Sequence, residues 1–221
     1  MLNKKYQTQS TNLVNYDYVD IADGTGTVKL YGLTYKNTTT VYPMLSRYAL
    51  RPASIVTTGS AVNSASPVKS IDLDFDLSPF NSARTIKGKF FISCAVGAGN
   101  PSSGTGAGTT VYVIAKLKKG TEEIASVQSG TTASLGSGTQ DVDWTTLSFQ
   151  GEVTTFNSFK VGETLRITLE VWGTHSGATD SLCYLAHDPL DRFDDVPIGA
   201  GVGTKPDTAI LELHIPFRID T

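Results

Sequence analysis

The stretch that decides the fold class is ETLRITLEVW, residues Glu163–Trp172. Apolar residues occupy every second position of this stretch, and polar or amphipathic residues occupy the positions between them. The apolar set comprises Leu165, Ile167, Leu169 and Val171. A period of two indicates a β-strand that buries one face. Gly162 and Gly173 flank the stretch and favour turns at both ends.

The same alternation recurs along the chain, and no segment has the period of a helix. The predicted strands are Ile71–Leu77, Ile86–Val96, Val111–Lys118, Glu122–Val127, Trp144–Val153, Leu182–Ala186 and Ile210–Ile219. A hairpin over Val19–Gly32, turning at Asp23–Gly26, precedes them. Clusters of Gly, Ser and Thr separate the strands. We therefore predict an all-β protein: an antiparallel two-sheet β-sandwich, jelly-roll-like, with about eight strands and an extended N-terminal arm.

Prolines set the expected boundaries of these elements. Pro43, Pro52 and Pro67 should prevent any long element between residues 33 and 66. Pro216 cannot donate a backbone hydrogen bond, so we expect its strand at an edge or with that position facing outward. We predict an arm and hairpin region over residues 1–66 and the β-sandwich over residues 67–221, which together form one folding unit.

The composition excludes several classes of protein. Of the 221 residues, 18 are Lys or Arg and 21 are Asp or Glu, which gives a formal net charge of −3. This balance argues against nucleic-acid binding, which favours a basic face. No run approaches the ~20 apolar residues of a membrane span, so no membrane partner is expected. The start, MLNKKY, lacks the apolar run of a signal peptide, and we expect synthesis in a host cytoplasm.

No catalytic or cofactor-binding motif stands out in the sequence. The three histidines, His175, His187 and His214, do not have the spacing of a zinc site. The glycine-rich stretch over residues 97–110 contains no lysine, so it does not resemble a phosphate-binding loop. No catalytic residue, no cofactor and no enzymatic activity are therefore predicted.

Two acidic groups are candidates for a metal site or for ion pairs. Asp72, Asp74 and Asp76 form a row on one strand face, which would either bind Ca²⁺ or keep a solvent face polar. The second group lies in an irregular stretch around Arg192. Its members are Asp188, Asp191, Asp194 and Asp195. These aspartates would form an ion-pair network, take part in a subunit contact or, as weak candidates, bind Ca²⁺.

Aromatic and apolar residues also mark candidate interfaces. In the polar segment over residues 1–20 they are Tyr6, Leu13, Val14, Tyr16 and Tyr18. This segment is either a frayed terminus or an arm that becomes ordered on a partner. Trp172 and Trp144 lie on the outward side of their strands and would serve as packing or interface residues, or as a platform for a sugar.

Several stretches together resemble the jelly-roll virion proteins of tailed viruses (bacteriophages). They are Tyr16–Gly32, Trp144–Phe149, Phe159–Trp172, Ala186–Pro189 with Arg192, and Leu213–Asp220. The resemblance implies a non-enzymatic structural protein of the virion, a capsid decoration or accessory subunit. We expect it to attach to the major capsid protein or another virion protein through its N-terminal arm and to form a homo-oligomer, with a trimer favoured. The alternative is a carbohydrate- or receptor-binding β-sandwich module that binds a glycan.

Overall fold

The computed structural model describes residues 14–15, 25–38, 40–50, 56–99, 108–136, 142–177, 180–187 and 210–218. All regular secondary structure within these ranges is β-strand. The strands are β1 (Val14–Asn15), β2 (Thr25–Asn37), β3 (Thr40–Ser46), β4 (Val56–Val62), β5 (Val68–Asp76), β6 (Arg84–Gly99), β7 (Thr110–Lys119), β8 (Glu122–Gln128), β9 (Val142–Phe159), β10 (Leu165–Thr174), β11 (Ser181–Ala186) and β12 (Leu211–Arg218). Among these residues no helix could span a membrane.

The strands form a single mixed sheet in the order β4-β11-β6-β12-β2-β3-β5-β10-β7-β8, with β1 beside β2 and β9 beside β6. β3 and β5 pair in parallel through Met44 and Asp76, and the other pairings are antiparallel. The prediction of an all-β protein is confirmed. The expected strand count was too low, and the sheet is not purely antiparallel.

The strand β10 lies between β5 and β7, and its apolar face is buried as the alternation predicts. Ile167 and Leu169 are 0% exposed. They belong to a hydrophobic core that also contains Phe90 of β6 and Leu213 of β12, from the other half of the strand order. Strands that are distant in the order therefore bury their apolar faces together, and this burial is the main stabilising term of the fold.

The longest ladder in the sheet belongs to β6, which has three partners. β9 pairs with it along one side from Arg84 to Gly99, while β12 and β11 divide the other side between them. The ladder between β6 and β9 shifts register at Gly88, whose φ is +114°, a backbone conformation that favours glycine. The extra residues lie on β9, so β6 keeps its alternation and buries both Ile86 and Phe90, which are an even number of positions apart.

Pro43 lies inside a strand that was not predicted, and Pro216 lies in a strand that was expected at an edge or with that position facing outward. Pro43 lies in β3, where it faces Thr34 of β2, and β3 pairs with β5 only at Met44. Pro216 lies in β12, which is a central strand between β2 and β6. The ladder between β12 and β6 is irregular between His214 and Phe217. Each proline is tolerated because the regular ladder on one side of its strand is interrupted there.

The predicted N-terminal hairpin over Val19–Gly32 is described only from Thr25 onward, since residues 19–24 lie outside the described ranges, and the described part differs from the prediction. Thr25 and Gly26, which were expected to lie in its turn, begin β2 and pair with Arg218 and Phe217 of β12. β2 then continues beyond Gly32 to Asn37 and forms its hairpin with β3. The sequence analysis also missed β4, whose short run of apolar residues did not alternate clearly.

Candidate functional site

The end of the hairpin of β2 and β3 is an exposed part of the sheet. Asn37 pairs with Thr40 at its end, and Thr38 in the turn has a φ of 53°. A non-glycine residue in this left-handed region is uncommon and costs conformational energy. The Thr38 hydroxyl donates to the Asn37 carbonyl oxygen at 2.8 Å, which helps to hold the turn.

Large apolar side chains are exposed on both faces of this hairpin. Tyr35 and Tyr42 lie directly opposite each other, so they share one face, and they are 56% and 50% exposed. Val41 pairs with Lys36 on the other face and is 44% exposed. We call Tyr35, Val41 and Tyr42 the hairpin patch. Because neither face is covered, the hairpin projects beyond the core, and such apolar exposure is typical of interaction surfaces.

The outer edge of the hairpin is suited only in part to strand pairing. Within the described residues, β3 pairs with β5 at Met44 alone, so Thr40–Tyr42 have no partner strand on that side. Pro43 lacks a backbone donor and would interrupt a ladder with an added strand. The geometry therefore favours contacts through the side chains of the hairpin patch over continuous strand addition.

A cavity of about 320 Å³ lies between the end of β3 and the segment that joins β5 to β6. We call it the β5–β6 pocket. Buried Leu45, Leu77 and Phe80 form part of its lining, and the guanidinium-bearing Arg47 and Arg84 also border it. Its volume is at the lower end of the ~300–1,000 Å³ typical of ligand pockets, which suits a single aromatic side chain.

The wall of this pocket is fixed by backbone hydrogen bonds. Leu77 donates to the Leu165 carbonyl oxygen at 2.9 Å, and Phe80 donates to that of Glu163 at 3.0 Å. Gly162 donates in turn to the Phe80 carbonyl oxygen at 2.9 Å. Phe80 also packs edge-on against Phe159, with ring centroids 5.3 Å apart. The pocket is thus preformed, which lowers the entropic cost of binding.

A charged ladder covers the outer face of β5, β10 and β7. Arg166 donates to both carboxylate oxygens of Asp76, at 2.6 and 2.8 Å, and to Asp74 at 2.9 Å. Lys69 forms an ion pair with Asp72. The acidic row predicted on β5 is therefore paired with cations, and within the described ranges no group of acidic, His or Cys residues could hold a metal.

Glu170 is the most buried charge of this ladder, with its side chain 8% exposed. Lys116 and the indole of Trp172 donate to its two oxygens at 2.8 and 3.0 Å. Burial raises the pKa of Glu170, but these hydrogen bonds and the charges of Lys116 and Lys69 prevail and lower it overall. The carboxylate is therefore charged at neutral pH and anchors the ladder.

A buried polar cluster joins the ends of β7, β10 and β11. The Thr109 hydroxyl donates to Ser181 Oγ at 2.6 Å and lies 3.0 Å from His175 Nδ1. The Thr109 hydroxyl has a single hydrogen, which it donates to Ser181, so Nδ1 of His175 must donate to Thr109. In a neutral imidazole this leaves Nε2 without a proton, as an acceptor. Nε2 has no hydrogen-bond partner within the described residues. Thr109 separates the imidazole from Ser181, and all three side chains are buried.

Most of the predicted site residues lie outside the part of the chain that the structure describes. Asp188, Asp191, Asp194 and Asp195 lie outside the described residues, as do Tyr6, Leu13, Tyr16 and Tyr18. Val14 lies in β1 and pairs with Val28. Trp172 stacks on Tyr112 with ring centroids 6.2 Å apart, and Trp144 packs against Tyr184 at 5.8 Å. The hairpin patch was not predicted, although Tyr35 and Tyr42 symmetrically flank the polar stretch Asn37–Thr40 in the sequence.

Comparison with known proteins gives structural likenesses only. No family model matches the chain, and no curated protein does. An α-amino acid ester hydrolase matches 86% of this chain and 36% of its own, with 10% identity and a TM-score of 0.48. A CocE/NonD family hydrolase from Staphylococcus aureus also matches over 86% of this chain and 36% of the hydrolase, with 10% identity and a TM-score of 0.42. The infectious bursal disease virus VP2 subviral particle matches 87% and 38%, with 10% identity and a TM-score of 0.32.

These findings correct the functional prediction. The chain was expected to be a non-enzymatic virion protein or, as the alternative, a carbohydrate- or receptor-binding module. That expectation is contradicted by the solved structures that match the chain, which include hydrolases and an aminopeptidase as well as viral capsid structures. The chain spans little more than a third of these hydrolases. At such identities and TM-scores, the likenesses transfer neither an activity nor a partner.

Proposed function

We propose that this protein is a self-assembling β-sheet subunit, which forms a homo-oligomer through the hairpin patch. The observation that carries the proposal is the exposure of Tyr35, Val41 and Tyr42 on both faces of a projecting hairpin. Tyrosine suits this role because its ring buries a large apolar area while its hydroxyl remains able to form a hydrogen bond. A trimer is the expected assembly.

The exposure is costly unless a partner covers it. A fully buried apolar side chain is worth about 1.5–3 kcal/mol relative to an exposed one, and each of these three residues is about half exposed, so each forgoes about half of that value in the isolated chain. A protein–protein contact at the hairpin would bury these side chains and recover that free energy. Single exposed apolar residues are common on protein surfaces, but here three lie together on one hairpin.

We also propose that the sheet folds over itself into two layers with a jelly-roll-like course. Two observations support this: the shared core of Ile167 and Leu213, and the close approach of Val127 in β8 to Gly151 in β9. A β-carbon on Gly151 would lie 3.0 Å from that of Val127. An experimental structure with β8 and β9 far apart would overturn this architecture.

Light scattering coupled to size exclusion tests the oligomer. We expect the wild type to elute at an integer multiple of 23.6 kDa. A Tyr35→Ser/Tyr42→Ser double variant should elute as a monomer with an unchanged circular dichroism spectrum. Phe91→Ser is the matched control, because Phe91 is also about half exposed but lies on β6. A wild-type chain that remains monomeric at tens of micromolar would overturn the proposal.

A further inference from the structure

We infer that the hairpin patch of one subunit docks into the β5–β6 pocket of a second copy of this chain. This inference rests on the proposed homo-oligomer and assigns the acceptor surface. Apolar residues, among them Leu77 and Phe80, line the pocket together with Arg47. A tyrosine ring matches both parts, since its edges pack on apolar groups and its face attracts a guanidinium.

The hairpin patch does not fill the pocket of its own subunit. β3 is paired residue by residue with β2 from Thr40 to Ser46, which fixes the position of Tyr42 in the ladder. Tyr42 does not line the pocket and remains half exposed. A second copy of the chain supplies tyrosines of the chemistry that the pocket would accept.

The contact uses two different surfaces, one from each subunit. Such a head-to-tail contact generates a closed ring when the rotation between subunits permits it and a filament when it does not. Each subunit in a ring then gives one hairpin and receives one. The interrupted edge at Pro43 is consistent with this mode, because docking in a pocket requires side chains and no additional ladder.

Two complementary variants test the inference. Tyr35→Ser/Tyr42→Ser removes the hairpin patch and leaves the pocket intact. Ser82→Trp places a large side chain at the pocket, where Ser82 is exposed, and leaves the hairpin intact. Asn81→Trp, at the neighbouring exposed position, serves the same purpose if Ser82→Trp does not fold. We expect each variant alone to be monomeric, with a loss of affinity of about 30-fold or more.

Mixing the two variants decides the result. One intact hairpin and one intact pocket should combine into a 1:1 heterodimer that grows no further, visible by native mass spectrometry. If the pocket variant assembles like the wild type while the hairpin variant does not, the inference is wrong and the proposed oligomer stands. If both are monomers that never combine, the inference is likewise wrong. If the wild-type protein is itself monomeric, both the proposed function and this inference are wrong.

Discussion

Replacing Glu170 with glutamine tests whether the ladder on β5, β10 and β7 stabilises the fold. The glutamine retains the size of the side chain but replaces one acceptor oxygen with an NH₂ donor. Since Lys116 and Trp172 both donate to Glu170, at 2.8 and 3.0 Å, one of them must face another donor in the variant. A lost hydrogen bond to a buried charge costs ~1–3 kcal/mol. We expect this loss in the free energy of unfolding at pH 7, or a fall of roughly 2–12 °C in Tm for a chain of this length.

The effect of Glu170→Gln should depend on pH with a definite sign. The pKa of Glu170 is lowered in the folded state, so the unfolded chain binds a proton more readily and the carboxylate adds stability as pH rises. The difference between wild type and variant is then complete above the ordinary glutamate pKa of about 4.3. It should shrink as pH falls through the lowered folded value, because a protonated carboxyl resembles the amide.

Urea unfolding followed by tryptophan fluorescence measures this difference between pH 7 and pH 3. Glu152→Gln is the control, because Glu152 is an exposed carboxylate on β9, and its loss should change stability by less than about 0.5 kcal/mol. Other acidic groups titrate equally in both proteins, so the subtraction isolates Glu170. A difference that is absent at pH 7, or equal at pH 7 and pH 3, would refute the role assigned to the ladder.

Three further predictions concern the core. Leu169→Ala should lower the free energy of unfolding by about 2–5 kcal/mol, because Leu169 is fully buried, and a Tm equal to that of wild type would contradict its assigned facing. Cys94 and Cys183 should resist iodoacetamide at pH 8 in the native protein and react after unfolding, since burial raises their pKa values to about 12 and about 11; rapid native labelling would show them exposed. Gly97→Ala should be destabilising by ~1–3 kcal/mol, because its new methyl would lie 2.7 Å from the Trp144 ring, and a stable variant would show that the ring can move.

The sequence predicts best the strands that have one clearly apolar face. β5, β6, β10 and β12 all lie close to the expected positions, because period-two alternation depends only on local order. Pro43 and Pro216 misled the prediction, since their tolerance depends on where a neighbouring ladder is interrupted. A single sequence does not specify which strands are neighbours, so it cannot show that a proline faces an irregular point.

The same limitation applies to the candidate site. The acidic row on β5 was expected either to bind Ca²⁺ or to keep a solvent face polar, whereas Arg166 of β10 pairs with Asp74 and Asp76. That pairing needs the adjacency of β5 and β10, which are about 90 residues apart in the chain. The exposure of Tyr35 and Tyr42 was equally hidden, because it arises from the projection of a hairpin whose strands look ordinary.

The position of β12 has a consequence for biosynthesis. This strand, residues 211–218, lies in the middle of the sheet between β2 and β6, although it follows the other described strands in the chain. Until β12 is made, β2 and β6 have unsatisfied backbone groups along the ladders that it will fill. Folding of the sheet should consequently wait for these residues and proceed slowly through distant contacts. A nascent chain stalled before Leu211 would expose the unpaired edges of β2 and β6. Such edges are prone to aggregation, so we expect the stalled chain to bind chaperones.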